Sequence, residues 1–234
     1  LASSNNPITV AVMSSMGGYS GPNNIAKNCE AAGLHIPKDQ IVPSMCLGIS
    51  DFSVHDMVAA QAMFVNQGIH VEPTTVMRIE DRNGNVIYSA NPKSKEVLSP
   101  DIAYRTLLMM KKVVDGGTSN SLRWHPKWGG IKHPMAGKTG TTQSNSDGWF
   151  IGLTPDLVTG VWTGGEERAE RFLSTALGQG AHMSLPTYGY YMQQVYKSKN
   201  IKISTEDFET PIGYDPTVFE CERQGEEPDF GLGL

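Results

Sequence analysis

The sequence predicts an α+β fold in which an antiparallel sheet of three strands is flanked by helices. Three observations carry that reading. Residues 133–142, 147–153 and 157–163 are extended runs joined by Ser-Asn-Ser and Thr-Pro-Asp turns, connections so short that they impose an antiparallel meander. Apolar residues recur at helical spacing at Ala103, Leu107, Met110 and Val114, and again at Leu185, Tyr188, Met192 and Val195. Between these patterns, Val76, Arg78, Glu80, Val86 and Tyr88 alternate about Asn83-Gly84, a hairpin signal expected at the surface.

In chain order, residues 7–33 read as two helices about a Gly-Gly-Tyr-Ser-Gly break. The first is expected to carry Ile8, Val12 and Met16 inward; the second starts at Pro22, buries Ile25 and Cys29, and stops at Gly33. Ser53, with Asp56 three residues on, caps a helix of Val54, Met57, Val58, Phe64 and Val65 that ends at Gly68. After the hairpin, Ser99-Pro100-Asp101 opens the helix that runs to Gly116-Gly117. Residues 119–130 read as a loop containing Trp124 and Trp128, expected to rim a cleft beside the first sheet strand. Ser184 and Pro186 are expected to start the last helix, packed on the sheet. Beyond Ser204 no periodicity remains, and residues 205–234 are expected to form a loosely ordered acidic tail on a single domain spanning 1–204.

Composition narrows the function. With 39% hydrophobic and 18% charged residues, the 234-residue chain can bury one good core. A net charge of −5 with scattered Lys and Arg argues against a nucleic-acid surface. No apolar run is long enough to span a bilayer and no leader precedes Leu1, so an export signal or anchor is expected upstream. Cys29, Cys46 and Cys221 form no paired pattern, so no zinc site or disulfide framework is expected; Cys29 and Cys46 read as small core residues. None of the six histidines shows ligand spacing.

The chemistry concentrates at Ala136-Gly137-Lys138-Thr139-Gly140-Thr141-Thr142. Small and hydroxylated residues leave this strand open to an extended peptide, whose charged end could meet Lys138 and the threonine hydroxyls. Gly140 suits a strand that another backbone must approach closely. Asp147 is expected to pair locally at the turn.

Gly137 to Thr142, Asp147 to Pro155 and Val161-Trp162-Thr163-Gly164 closely resemble the transpeptidase domain of bifunctional, class A penicillin-binding proteins. Ser4-Asn5-Asn6 before Ile8-Thr9 is similar to that family's Ser-x-Asn motif; the bare triplet also occurs at Ser3-Ser4-Asn5 and Ser198-Lys199-Asn200, without the same surroundings. Cys46-Leu47-Gly48 with Asn66-Gln67-Gly68, and Ser184 to Tyr188, extend the resemblance over about residues 1–200.

The resemblance implies a penicillin-binding-protein or β-lactamase-like fold, incomplete here, with residues 1–204 as the C-terminal part of the domain. It implies peptidoglycan cross-linking by a serine-type D-Ala-D-Ala transpeptidase. Ser4 would relay protons, Lys138 would polarise Ser4, and Asn6 would bind the acyl donor's backbone. Thr139 and Thr141 would hold the carboxylate, Gly140 would admit the substrate, and the Thr141 N–H would serve as an oxyanion donor. No metal or organic cofactor is implied. The implied partners are peptidoglycan stem peptides, β-lactams and an upstream part of the same protein with a glycosyltransferase domain and membrane anchor, on the periplasmic side of the inner membrane.

The sequence departs from the family in one respect: Ser-x-x-Lys, the acylated serine with its lysine, occurs nowhere in it. The motif is expected upstream of Leu1, and the isolated chain is expected to be inactive. Two alternatives share the fold, a non-catalytic module binding cell-wall peptide or a partner protein and a D,D-carboxypeptidase or β-lactamase. An upstream Ser-x-x-Lys separates the first from an enzyme.

Overall fold

A computed structural model describes residues 1–219, so Cys221 and the second half of the acidic tail lie outside the described residues. The helices are α1 (Asn6–Ser15), α2 (Gly21–Ala31), α3 (Val54–Val65), α4 (Pro100–Asp115), α5 (Ser121–Trp124), α6 (Thr175–Gly178) and α7 (Gly180–Lys197). The strands are β1 (Ile69–Val71), β2 (Arg78–Glu80), β3 (Val86–Ser89), β4 (Ser94–Glu96), β5 (Ala136–Thr141), β6 (Asp147–Leu153) and β7 (Val158–Gly164). None of these helices is long and apolar enough to cross a membrane.

The central sheet has the order β5-β6-β7 and is antiparallel throughout, with Thr139 opposite Phe150 and Phe150 opposite Val161. Because side chains alternate across a strand, β6 divides its residues between two layers. Phe150 meets Tyr188 of α7 edge-on, ring centroids 4.7 Å apart, in a cluster with Leu122, Trp128, Met135, Leu185 and Met192. Ile151 and Leu153 point the other way, into Leu107 and Met110 of α4. The expected fold class and meander are therefore present, with helices on both faces.

Local signals explain most boundaries. Asn5 caps α1, its Oδ1 accepting the Ile8 N–H at 3.1 Å, and Ser53 caps α3 by accepting the Asp56 N–H at 3.0 Å. Ser99 caps α4, whose Ala103, Leu107, Met110, Val113 and Val114 are buried as the stripe requires. The Asn83-Gly84 hairpin forms from β2 and β3 and is exposed on both faces. Its loop is a turn from Asp81 to Gly84 with Gly84 at φ +84°, closed by an Asp81–Asn85 backbone bond.

Five expectations need correction. In α1 the buried residue is Met13, whereas Ile8 and Val12 are 60% and 54% exposed; α1 rests on α2 and on the 43–47 turn, which rotates its inner side away from the read stripe. The Ser119–Gly130 segment is not simply a loop: it contains α5 and sends Leu122 and Trp128 into the core, so burial rather than cleft lining explains its shape. The last helix starts at Gly180, not at Ser184 and Pro186. Pro186 lies inside it, and Ser184 is fully buried and donates its hydroxyl to the Gly148 carbonyl at 2.6 Å instead of capping.

The fourth correction concerns the start of the tail, which is docked. Phe208 joins the cluster of Leu107 and Met110, Asp207 pairs with Lys111 at 2.6 Å, and Arg105 donates to the Asp215 carbonyl at 3.0 Å. Cys29 and Cys46 are half-buried rather than fully interior; burial, followed by the Glu30 charge, pushes the Cys29 thiol up.

Candidate active site

Among the described residues β5 is an end strand of the sheet, hydrogen-bonded to β6 on one side only. Its residues alternate. Thr139 and Thr141 lie on the side of the sheet that faces α7, whereas Lys138 lies opposite Ile151 on the α4 side. The Lys138 ammonium curls along the strand, donating to its neighbour's carbonyl, Thr139 O, at 2.6 Å and to Ser4 Oγ at 2.6 Å. Ser4 and Lys138 are 134 positions apart in sequence, and only the fold brings them together.

Ser4 sits in the turn ahead of α1, where its N–H donates to the Leu1 carbonyl at 3.1 Å. Its φ of +53° is left-handed, unusual for a residue with a Cβ and of the kind that clusters where function holds it. Asn6 opens α1 two residues later with an exposed side chain.

Burial disfavours the charged form and holds the Lys138 ammonium below the usual lysine range. Among the described residues no carboxylate lies within ion-pair distance of it, so its hydrogen-bond partners are neutral oxygens. A desolvated cation without a counter-charge favours an arriving anion.

The threonine hydroxyls are both engaged. Thr139, 8% exposed, is bonded to Thr118 Oγ1 at 2.7 Å. Thr141 Oγ1 accepts the Gly180 N–H at 3.0 Å, which leaves the Thr141 hydroxyl proton to be given elsewhere. That contact sets the N-terminus of the 18-residue α7, the positive end of its dipole, against the Thr141 end of β5.

The approach depends on Gly180, where a Cβ would stand 2.2 Å from the Gly140 carbonyl oxygen and 2.5 Å from that of Trp149. Both obstacles are backbone and cannot swing aside. Gly180→Val in the full-length protein is expected to cost about 3 kcal/mol or more of stability, visible as a lowered thermal unfolding midpoint. An unchanged midpoint would show that the helix start is free to move. At Gly140 itself a Cβ would meet Trp149 Cβ at 3.0 Å, so its cross-strand partner crowds that position as well. Asp147 pairs locally, accepting the Thr142 hydroxyl and, at 3.3 Å, that of Ser146.

Sequence reasoning missed Thr118 and Gly180. Neither falls within an element read from the sequence, and nothing local marks either as a neighbour of β5.

The penicillin binding protein transpeptidase domain family matches this chain over residues 12–164, a span that includes β5 and leaves Ser4 and Asn6 just outside. The chain belongs to the penicillin-binding protein transpeptidase family. Penicillin-binding protein 1B of Haemophilus influenzae is 37% identical over 145 residues, covering 62% of this chain and 18% of that protein. Penicillin-binding protein 1A from the same organism superposes with a TM-score of 0.72 at 23% identity, over 88% of this chain and 35% of the other. The PonA1 protein of Mycobacterium tuberculosis, in a complex with penicillin V, gives 0.69 at 24% identity, over 86% and 55%. At these identities the superpositions establish the fold. The class A resemblance agrees with the relatives' names, and the chain spans 18 to 26% of the length of the first curated relatives.

Proposed function

We propose that this chain supplies the carboxylate grip and the Ser-x-Asn half of a D-Ala-D-Ala transpeptidase that cross-links peptidoglycan. The single observation that carries the reading is Lys138 Nζ on Ser4 Oγ at 2.6 Å beside the open edge of β5. A stem peptide would lie along that edge with its terminal carboxylate at Thr139 and Thr141.

A serine hydroxyl from an upstream Ser-x-x-Lys attacks the penultimate D-Ala carbonyl. The new ester C–O bond forms as the D-Ala–D-Ala C–N bond breaks, and the serine's proton reaches the leaving amine through Ser4. A neighbouring stem-peptide amine then attacks the ester carbonyl: the new amide C–N bond forms as the serine ester C–O bond breaks, and the amine's proton returns through Ser4 to the serine oxygen. The Lys138 ammonium polarises the Ser4 hydroxyl, the Asn6 amide holds the donor's backbone, and the Thr141 N–H and a second donor stabilise the oxyanion. Gly140 keeps the strand accessible to the substrate. A β-lactam enters as a mimic of the D-Ala terminus and stays as an ester. The whole protein acts outside the cytoplasm, anchored by a segment upstream and joined there to a glycosyltransferase domain.

The test is mass spectrometry after incubation with penicillin. In the full-length protein a penicilloyl adduct is expected on a serine upstream of Leu1. The present chain, which contains no Ser-x-x-Lys, is expected to remain unmodified. An adduct on Ser4 would overturn its assignment as a relay, and a full-length protein that takes no adduct would favour the non-catalytic binding module.

A further inference from the structure

Directly after α4, residues 116–119 touch both halves of the site. At Gly117 a Cβ would stand 2.4 Å from the Ala2 carbonyl oxygen, so glycine lets the turn carrying Ser4 lie against this segment. The Thr118 N–H then donates to that same carbonyl at 3.1 Å. On the other side Ser119 is fully buried, with its N–H and its hydroxyl both on the Val113 carbonyl, at 3.1 and 3.0 Å. Thr118 is thus pinned at its own N–H and through its neighbour, and its hydroxyl lies 2.7 Å from that of Thr139.

A hydroxyl has one proton and two acceptor sites, so in a Thr–Thr pair one oxygen gives and the other receives. If Thr139 donates to Thr118, its proton is spent inside the protein. If Thr118 donates, the Thr139 proton is left for a ligand. An arriving carboxylate favours the second arrangement, because a charge-assisted bond is stronger than a neutral one.

We propose that Thr118 is a positioning residue for substrate binding: its hydroxyl, held by the Ala2 and Ser119 contacts, donates to Thr139 and turns the Thr139 proton toward the substrate carboxylate. The proposal rests on the reading of Thr139 as a carboxylate anchor. It adds that the turn bearing Ser4 and the grip on β5 are set by one residue, so the Ala2 contact holds proton relay and anchor in one frame.

The experiment compares acylation rate constants of the full-length protein for benzylpenicillin and for its methyl ester, which lacks the anionic carboxylate. Thr118→Val is expected to slow the free acid on the order of tenfold and to change the ester by less than about twofold. Thr118→Ser, which keeps the hydroxyl, should behave as the parent, and Thr118→Ala repeats the comparison with a smaller side chain. Variants at Thr118 that slow acid and ester equally, or neither, overturn the proposal. Thr139→Val separates the two levels: if it discriminates acid from ester while Thr118→Val does not, only the positioning role falls. If Thr139→Val treats both alike, the carboxylate anchor falls, and the proposal with it.

Discussion

Lys138→Met in the full-length protein is expected to slow acylation by penicillin about 10²- to 10⁴-fold while leaving the fold as stable as before or more so. Methionine fills much of the lysine's volume but offers neither the charge nor the donor that Ser4 Oγ and Thr139 O now share. The stability side follows from burial. The ammonium titrates below its ordinary value of 10.5 because desolvation disfavours its charge. Between the folded and unfolded values the unfolded chain binds more protons, so Lys138 makes stability rise with pH across that window. Its cost is present at every lower pH and is gone above the unfolded value. The variant should lack that rise. Thermal unfolding from about pH 8 to pH 11, set beside acylation rates, checks both parts. Normal acylation by the variant, or an unaltered pH slope, would refute the assignment.

The second large effect is expected from Thr139→Val with Thr141→Val. The pair keeps the β-branched shape of the strand but removes two donors to a carboxylate. At roughly 1.5 to 3 kcal/mol for each charge-assisted bond, the two together correspond to about 10²- to 10⁴-fold in acylation rate. The change is not silent for the fold. The Gly180 N–H loses its acceptor and Thr118 loses its partner, so each substitution should also cost about 1 to 3 kcal/mol of stability. Stopped-flow acylation and thermal unfolding on the same samples separate the two effects. Unchanged acylation in a folded double variant would refute the anchoring role.

The parts of the fold that were legible are those whose cause is local. The β5-β6-β7 meander follows from turns of a few residues, the hairpin from Asn83-Gly84, and α4 from its cap and stripe. The parts that were not legible are decided by distant partners. Phe208 gives no periodic signal, yet it closes the cluster over Leu107 and Met110. Met13 is chosen over Ile8 and Val12 by what α1 lies against. The start of α7 is set by the fit of Gly180 to Gly140 and Trp149, not by the Ser-Pro signal within the helix. At the site, the Lys-Thr-Gly strand was visible as a pattern, whereas the meeting of Ser4 with Lys138 rested on resemblance. Thr118 carried no signal beyond a hydroxyl after two glycines.

The unpaired side of β5 also has a consequence for solubility. A row of N–H and C=O groups without a strand partner can accept an extended chain, including the same strand of a second molecule, and long flat edges of this kind seed aggregates; here the Lys138 ammonium already occupies the Thr139 carbonyl. β5 is six residues long and interrupted by Gly137 and Gly140, which weaken it as a template for persistent pairing. It also carries an ammonium that a second copy of the strand, paired antiparallel with Lys138 opposite Lys138, would bring against its own. Two like charges facing each other across a new strand pair oppose the pairing. The residues proposed to receive a short anionic peptide therefore also make this edge a poor partner for itself.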